Sequence, residues 1–170
     1  MKENFKRLIC VFSAALIAAV LVSCGSDESD ESSQSNAEQT QTDVTALTAE
    51  EVADNLFNGI EYTDELNTIS NEMIEKLYGI SEDKYTSARV YVGGVSTAEE
   101  IACFDAADET AAQEIKQACE DRISDQIAAV EDYNPDELVK LNNPVLVTSG
   151  NSVYMCLSND NDAAKYILGQ

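Results

Sequence analysis

Residues 87–93 read Ser87-Ala88-Arg89-Val90-Tyr91-Val92-Gly93, and a second stretch, Glu100-Ile101-Ala102-Cys103-Phe104-Asp105-Ala106, follows shortly after. In the first, Ala88, Val90 and Val92 fall on one side and Arg89 and Tyr91 on the other, the two-residue period of a half-buried strand. Gly93-Gly94 ends it in a turn, which makes the second stretch its neighbour. Whether Ile101 and Cys103 or Ala102 and Phe104 face inward is not decided by pattern. A second hairpin is signalled where Pro144–Ser149 and Ser152–Ser158 are separated by Gly150-Asn151. By parity, Tyr154 and Cys156 oppose Val153, Met155 and Leu157.

Helical periods fill the space around these strands. Thr48-Ala49-Glu50-Glu51 is a capping-box pattern ahead of Val52, Ala53, Leu56 and Phe57, with Gly59 at the stop. A second helix starts at Ser70 and carries Met73, Ile74 and Leu77 on one face, ending at Gly79. Between the two, Ile60–Ile69 reads equally as a short strand or an ordered loop. Asp108 caps the longest helix, about Glu109 to Asp132, whose apolar stripe is Ile115, Cys119, Ile123, Ile127 and Val130, widened by Ala112 and Ala118. Pro135 opens a short helix through Leu141. Asp160 or Asn161 caps a last one, with Ala164, Ile167 and Leu168 facing in. The order α-α-β-β-α-α-β-β-α predicts an α+β fold: a small antiparallel sheet of about four strands in two hairpins, with helices packed mainly on one face.

The chain has 170 residues, with 10 Lys+Arg against 32 Asp+Glu, no His and a net charge of −22. Nucleic acid is an unsuitable partner, because a phosphate backbone requires a basic footprint. Without His, Ser-His-Asp and Cys-His catalytic sets and His-bearing zinc sites are excluded. No Gly-rich phosphate loop, G-x-S-x-G elbow or HExxH occurs. Asn159-Asp160-Asn161-Asp162 opens like a calcium loop but lacks the central Gly and distal Glu, so helix capping explains it better. No catalytic residue, metal ligand or cofactor is assigned, and the chain is expected not to be an enzyme.

Residues 1–23 have the layout of a secretory leader: Lys2, Lys6 and Arg7 precede an uncharged, mostly apolar run from Leu8 to Val22. The run ends in Leu21-Val22-Ser23-Cys24, a match to the lipobox of bacterial lipoproteins, in which cleavage after Ser23 leaves Cys24 to be acylated as the mature N-terminus. Cleavage there would leave 31 acidic and 7 basic side chains, a net −24. Each buried acyl CH₂ contributes ~0.8 kcal/mol, so two long chains anchor the protein durably. The expected partner of Cys24 is therefore the lipid bilayer, and the expected location is the extracytoplasmic face of the cell membrane. Residues 24–47 form an acidic, Ser-rich linker with too few apolar groups to offset ordering entropy. Its r.m.s. span of roughly 25 Å and stretched reach of roughly 75 Å make it a spacer. Residues 48–170 are then a single α+β domain.

Glu99-Glu100-Ile101-Ala102-Cys103-Phe104, Arg122-Ile123 with Gln126, Tyr133-Asn134-Pro135, Leu141-Asn142-Asn143 and Gly150 together resemble an uncharacterised family of small lipoproteins of Gram-positive anaerobes. The resemblance covers leader, linker and domain. It implies a lipid anchor and an extracytoplasmic α+β module of unknown function, and supplies no activity, ligand or catalytic residue.

Of the domain's cysteines, Cys119 lies on a helix stripe, whereas Cys103 and Cys156 sit on strands. A Cys103–Cys156 disulfide is permitted outside the cell, but free thiols are the simpler reading. Arg89 and Arg122 are the only arginines after the leader. Arg122 is expected to pair with an acidic neighbour or to lay its stem along the core edge. Arg89, Tyr91 and Tyr154 share one sheet face by parity. Left open, that face would suit a protein, peptide or glycan partner, since aromatics and Arg dominate binding energetics. Covered by a helix, it would be ordinary packing. The expected function is a membrane-anchored binding or interaction module; the alternative is a structural or accessory subunit of a membrane or wall assembly. A carboxylate-dependent hydrolase would need two carboxyl groups flanking a groove.

Overall fold

The computed structural model describes residues 47–170. The expected leader, the lipidation site at Ser23-Cys24 and nearly all of the linker lie outside the described residues.

The two hairpins form as the alternation requires, and they join side by side. Strands β2 (Tyr85–Val92) and β3 (Glu100–Ala106) pair antiparallel, as do β4 (Val145–Ser149) and β5 (Ser152–Leu157). β3 then pairs with β5, and the two-residue β1 (Asn67–Thr68) adds to the outer side of β2. The result is an open five-stranded antiparallel sheet of order β1-β2-β3-β5-β4. One strand more is present than the alternation signals, because β1 pairs over only two residues, too few to show a period.

Helices α1 (Ala49–Gly59), α2 (Asn71–Tyr78), α3 (Glu109–Val130) and α5 (Asn161–Ile167) start where their caps direct, whereas α4 (Leu138–Leu141) has no side-chain cap and continues the 3-10 turn Pro135–Glu137 that Pro135 opens. Thr48 and Glu51 close a reciprocal capping box on α1, and Ser70, Asp108 and Asp160 accept the otherwise free amides of Met73, Ala111 and Ala163 in the first turns of α2, α3 and α5. Gly79 ends α2 at φ 69°, a left-handed cap that costs a residue without Cβ nothing.

Most of the helical length lies on one face, as expected. There α2 and α3 cover Val90, Ala102, Phe104, Val153, Met155 and Leu157. The second face is not open, however. α1 and α5 lie over it and bury Ile101, Cys103, Tyr154 and Cys156 with Val52, Leu56, Ala164 and Leu168. The undecided question of which side of β3 faces inward therefore has a simple answer: both do, and Ile101, Ala102, Cys103 and Phe104 are all fully buried. A strand buried on both sides loses the alternation that would have marked its inner face.

Candidate functional site

Register places Arg89, Cys103, Tyr154 and Val147 in one row across the sheet, and Tyr91, Ile101, Cys156 and Val145 in the next. Arg89, Tyr91 and Tyr154 lie on one sheet face, and of the two expected alternatives, open or covered by a helix, the face is covered. α1 lies on it. Phe57 stacks on Tyr91 with ring centroids 4.5 Å apart, and the Tyr91 hydroxyl donates to Asp54 at 2.6 Å. Arg89 reaches out to Glu50 at 3.0 Å, while Tyr154 is 1% exposed. An amphipathic helix burying Val52, Ala53 and Leu56 needs an apolar surface, and these rings supply it. Replacing Arg89 and Tyr91 together by alanine is thus expected to lower unfolding free energy by about 3 kcal/mol through lost packing. A denaturation midpoint within ~0.5 kcal/mol of the parent would contradict this.

The cysteines do not form a site either. Cys103 opposes Tyr154 and Cys156 opposes Ile101, so the two thiols are diagonal rather than facing. All three domain cysteines are free and buried. Burial pushes each thiol up from its ordinary pKa, which favours the protonated form.

The polar chemistry of the domain gathers instead at the start of β3, where consecutive Glu99 and Glu100 project to opposite faces. Glu100 shares the parity of Ala102 and Phe104 and is 2% exposed. Arg122 from α3 grips it with two bonds, Nε to Oε1 at 3.1 Å and Nη2 to Oε2 at 2.7 Å. Gln126, one turn further along α3, donates to Oε2 at 2.7 Å, and the Tyr78 hydroxyl donates to Oε1. Burial and the neighbouring Glu100 push the Tyr78 hydroxyl far above its usual range, so it remains a donor. Burial works against the charge of Arg122, but the Glu100 bond outweighs it and raises its pKa.

Glu99 turns the other way. It accepts the backbone amides of Thr63 and Asp64 at 2.9–3.0 Å and lies 3.5 Å from the ammonium of Lys140, itself 3% exposed. Lys140 donates to both oxygens of Glu137 at 3.0 and 2.8 Å, and to Thr97 at 3.3 Å. Glu137 in turn accepts the amide of Ala98 at 2.7 Å. The loop between β2 and β3 is thereby fixed at its base. Gly93 is required there, since a Cβ would sit 2.3 Å from Thr97 Cγ2.

Above this base lies a cleft of about 250 Å³. The β2–β3 loop forms one wall with Gly93, Gly94 and Val95, and the C-terminal half of α3 forms the other with Arg122, Gln126, Ala129 and Val130. Tyr133 and Val95 stand at the rim, and Val95 is 98% exposed. Arg122, with 22% of its side chain exposed, and Gln126 line this cleft. Among the described residues, neither Arg122 Nη1 nor Gln126 Oε1 has a protein partner. The site is a fixed donor and acceptor on one helix face, flanked by apolar walls. That arrangement can orient a small polar group.

Arg122 pairs with a carboxylate, as expected, although the partner is Glu100 on β3 rather than a residue of its own helix. Glu99, Glu100, Gln126 and Lys140 were given no role by sequence. A usable signal exists for two of them. Glu100 is in phase with Ala102 and Phe104, and Gln126 lies three residues after Ile123 and four before Val130, on the buried stripe.

A three-layered α+β domain with a buried ionic cluster beneath a loop-to-helix cleft is the class that fold and site define. Residues 58–158 match the family described as a domain of unknown function (DUF4358), and the chain belongs to that family. No curated protein and no solved structure matches it significantly. Of the residues carrying the resemblance noted above, Glu99, Glu100, Arg122, Gln126 and Tyr133 all line this one cleft.

Proposed function

We propose that this chain is a lipid-anchored, extracytoplasmic binding module whose ligand enters the cleft between the β2–β3 loop and α3. The leader, the Leu21-Val22-Ser23-Cys24 lipobox and the polar linker support the anchor. One observation carries the binding role. Glu100 fixes Arg122 and Gln126 side by side, leaving one donor and one acceptor without protein partners at a cleft. Because Glu100 neutralises Arg122, the pair favours a neutral group over an anion. An amide fits: its carbonyl accepts from Arg122 or its N–H donates to Gln126 Oε1, and the N–H and C=O of one extended peptide residue, which point the same way, make both bonds. Leu77, Val92 and Tyr133 would receive an adjoining apolar group. The volume suits a fragment of a larger ligand, since sites for whole drug-sized molecules run to roughly 300–1,000 Å³. A peptide main chain and an acetamido sugar share this chemistry.

Titrating the isotopically labelled protein with N-acetylleucinamide and N-acetylglucosamine checks the reading by NMR. Amide shifts are expected at residues 92–97 and 122–133, from one probe or both, and are lost in Tyr133→Ala. Shifts elsewhere, or an equal response to acetate, would refute the amide reading. Incorporation of labelled fatty acid into the parent but not into Cys24→Ala tests the anchor separately.

A further inference from the structure

The two edges of the sheet are treated very differently. β1 closes one edge with only two residues, too short to template another strand. β4 forms the other edge with five residues, Val145-Leu146-Val147-Thr148-Ser149, and its outer side carries none of the usual protections. It has no charge, no internal Pro and no bulge in its pairing with β5.

The register shows which backbone groups face outward. Ser149 and Ser152 close the two-residue Gly150-Asn151 turn, so they are a hydrogen-bonded pair, and Val147–Tyr154 and Val145–Cys156 follow by alternation. The bond from Ala106 N–H to Asn151 C=O at 3.0 Å fixes the same phase from the β3 side. Leu146 and Thr148 therefore aim their N–H and C=O groups away from the sheet. Among the described residues these four groups have no hydrogen-bond partner. Thr148 is exposed and Leu146 half-buried, so water reaches them.

The chemistry of this edge identifies its occupant. From Leu141 to Asn159 the chain has 19 consecutive residues without a charge, the longest such run after the leader. Elsewhere the surface is strongly acidic, and bringing two copies together there would oppose like charges. The run includes all of β4, the unprotected edge among the described residues, as well as buried β5, and an uncharged edge is what self-association of an acidic protein requires. The edge is also self-complementary: a two-fold axis at Val147 sets Leu146 opposite Thr148 of the second copy, and Thr148 opposite its Leu146.

We propose that β4 is a homotypic docking strand, pairing antiparallel with β4 of a second copy to join two five-stranded sheets into one. Four backbone hydrogen bonds form across the axis. Because β1 cannot template, assembly stops at a closed dimer instead of propagating. A five-residue strand on each side falls far short of the roughly 20–30 residues per partner of a standard stable interface, so pairing is reversible and depends on local concentration. Tethering the copies to one surface would raise that concentration.

The full-length chain carrying Val147→Cys, expressed in cells and treated with the thiol oxidant diamide, tests the register. Residue 147 faces its own symmetry mate at a Cβ separation of ~5 Å, close enough for a disulfide. A disulfide-linked dimer is expected at least tenfold above that seen in the parent and in Thr86→Cys, an exposed site on β2. Sedimentation of the detergent-solubilised chain should show association that strengthens with added salt, as like charges are screened. Thr148→Lys should weaken it at least tenfold while the thermal melt is unchanged. Cross-linking no greater than at residue 86, or a monomer at every concentration, overturns the proposal. Association that weakens with salt also overturns it, since it would mean the edge takes a cationic segment.

Discussion

Arg122→Met is expected to lower the unfolding free energy by about 3–5 kcal/mol, the range for removing one partner of a buried ion pair. Glu100 is 2% exposed and receives two of its four hydrogen bonds from Arg122. Methionine fills similar volume but leaves the carboxylate with Gln126 and Tyr78 alone. Combining it with Glu100→Leu removes the stranded charge, and the double variant should regain more than half of the loss. Full recovery is not expected, because the Tyr78 hydroxyl and the Gln126 amide then lack their acceptor. Urea denaturation of the four proteins of this cycle measures the coupling. Simple additivity of the two single effects would mean that Glu100 is not held as described.

Lys140→Met should cost a similar amount, about 3–5 kcal/mol at neutral pH. Its ammonium lies between the carboxylates of Glu137 and Glu99, at 2.8 and 3.5 Å, and is itself buried. Without it, two carboxylates share one site with no cation. The pH dependence distinguishes this electrostatic cause from lost packing. Burial pushes Glu137 up, but the Ala98 amide and Lys140 outweigh it and hold the carboxyl below its usual value. A depressed carboxyl contributes stability that is complete above its unfolded value of about 4.5 and is lost as pH falls through the lower folded value. Protonation removes that contribution from the parent and relieves the repulsion in the variant. The gap between the two proteins should therefore narrow as the pH falls below about 4.5. A gap independent of pH would assign the loss to packing alone.

Both predictions concern residues whose importance arises from meeting partners distant in sequence. Glu100 and Arg122 are 22 residues apart, and Lys140 meets Glu99 and Thr97 from 41 and 43 residues away, Glu137 being its local partner. Spacing along the chain is silent on such meetings. Lys140 in particular sits in a four-residue helix, where a lysine ordinarily faces water.

Arg89, Tyr91 and Tyr154 show how far local pattern reaches. Strand parity places them on one face, and they are on one face. Whether that face is open depends on α1, and α1 is amphipathic toward any apolar surface that topology brings to it. The period of a helix fixes which of its sides is apolar but not which sheet face it covers.

Local physics written in the chain determined the helix starts at Thr48, Ser70, Asp108 and Asp160, the two hairpins, and their antiparallel α+β class. Caps, turns and periodicity act within a few residues, so one sequence suffices to read them. Tertiary structure alone decided that β3 is buried on both sides, which partners Glu99 and Glu100 meet on their two faces, and that β4 is the edge strand without a neighbour among the described residues. These follow from which elements become neighbours across long stretches of chain, where burial and like-charge repulsion are settled between residues with no local relation.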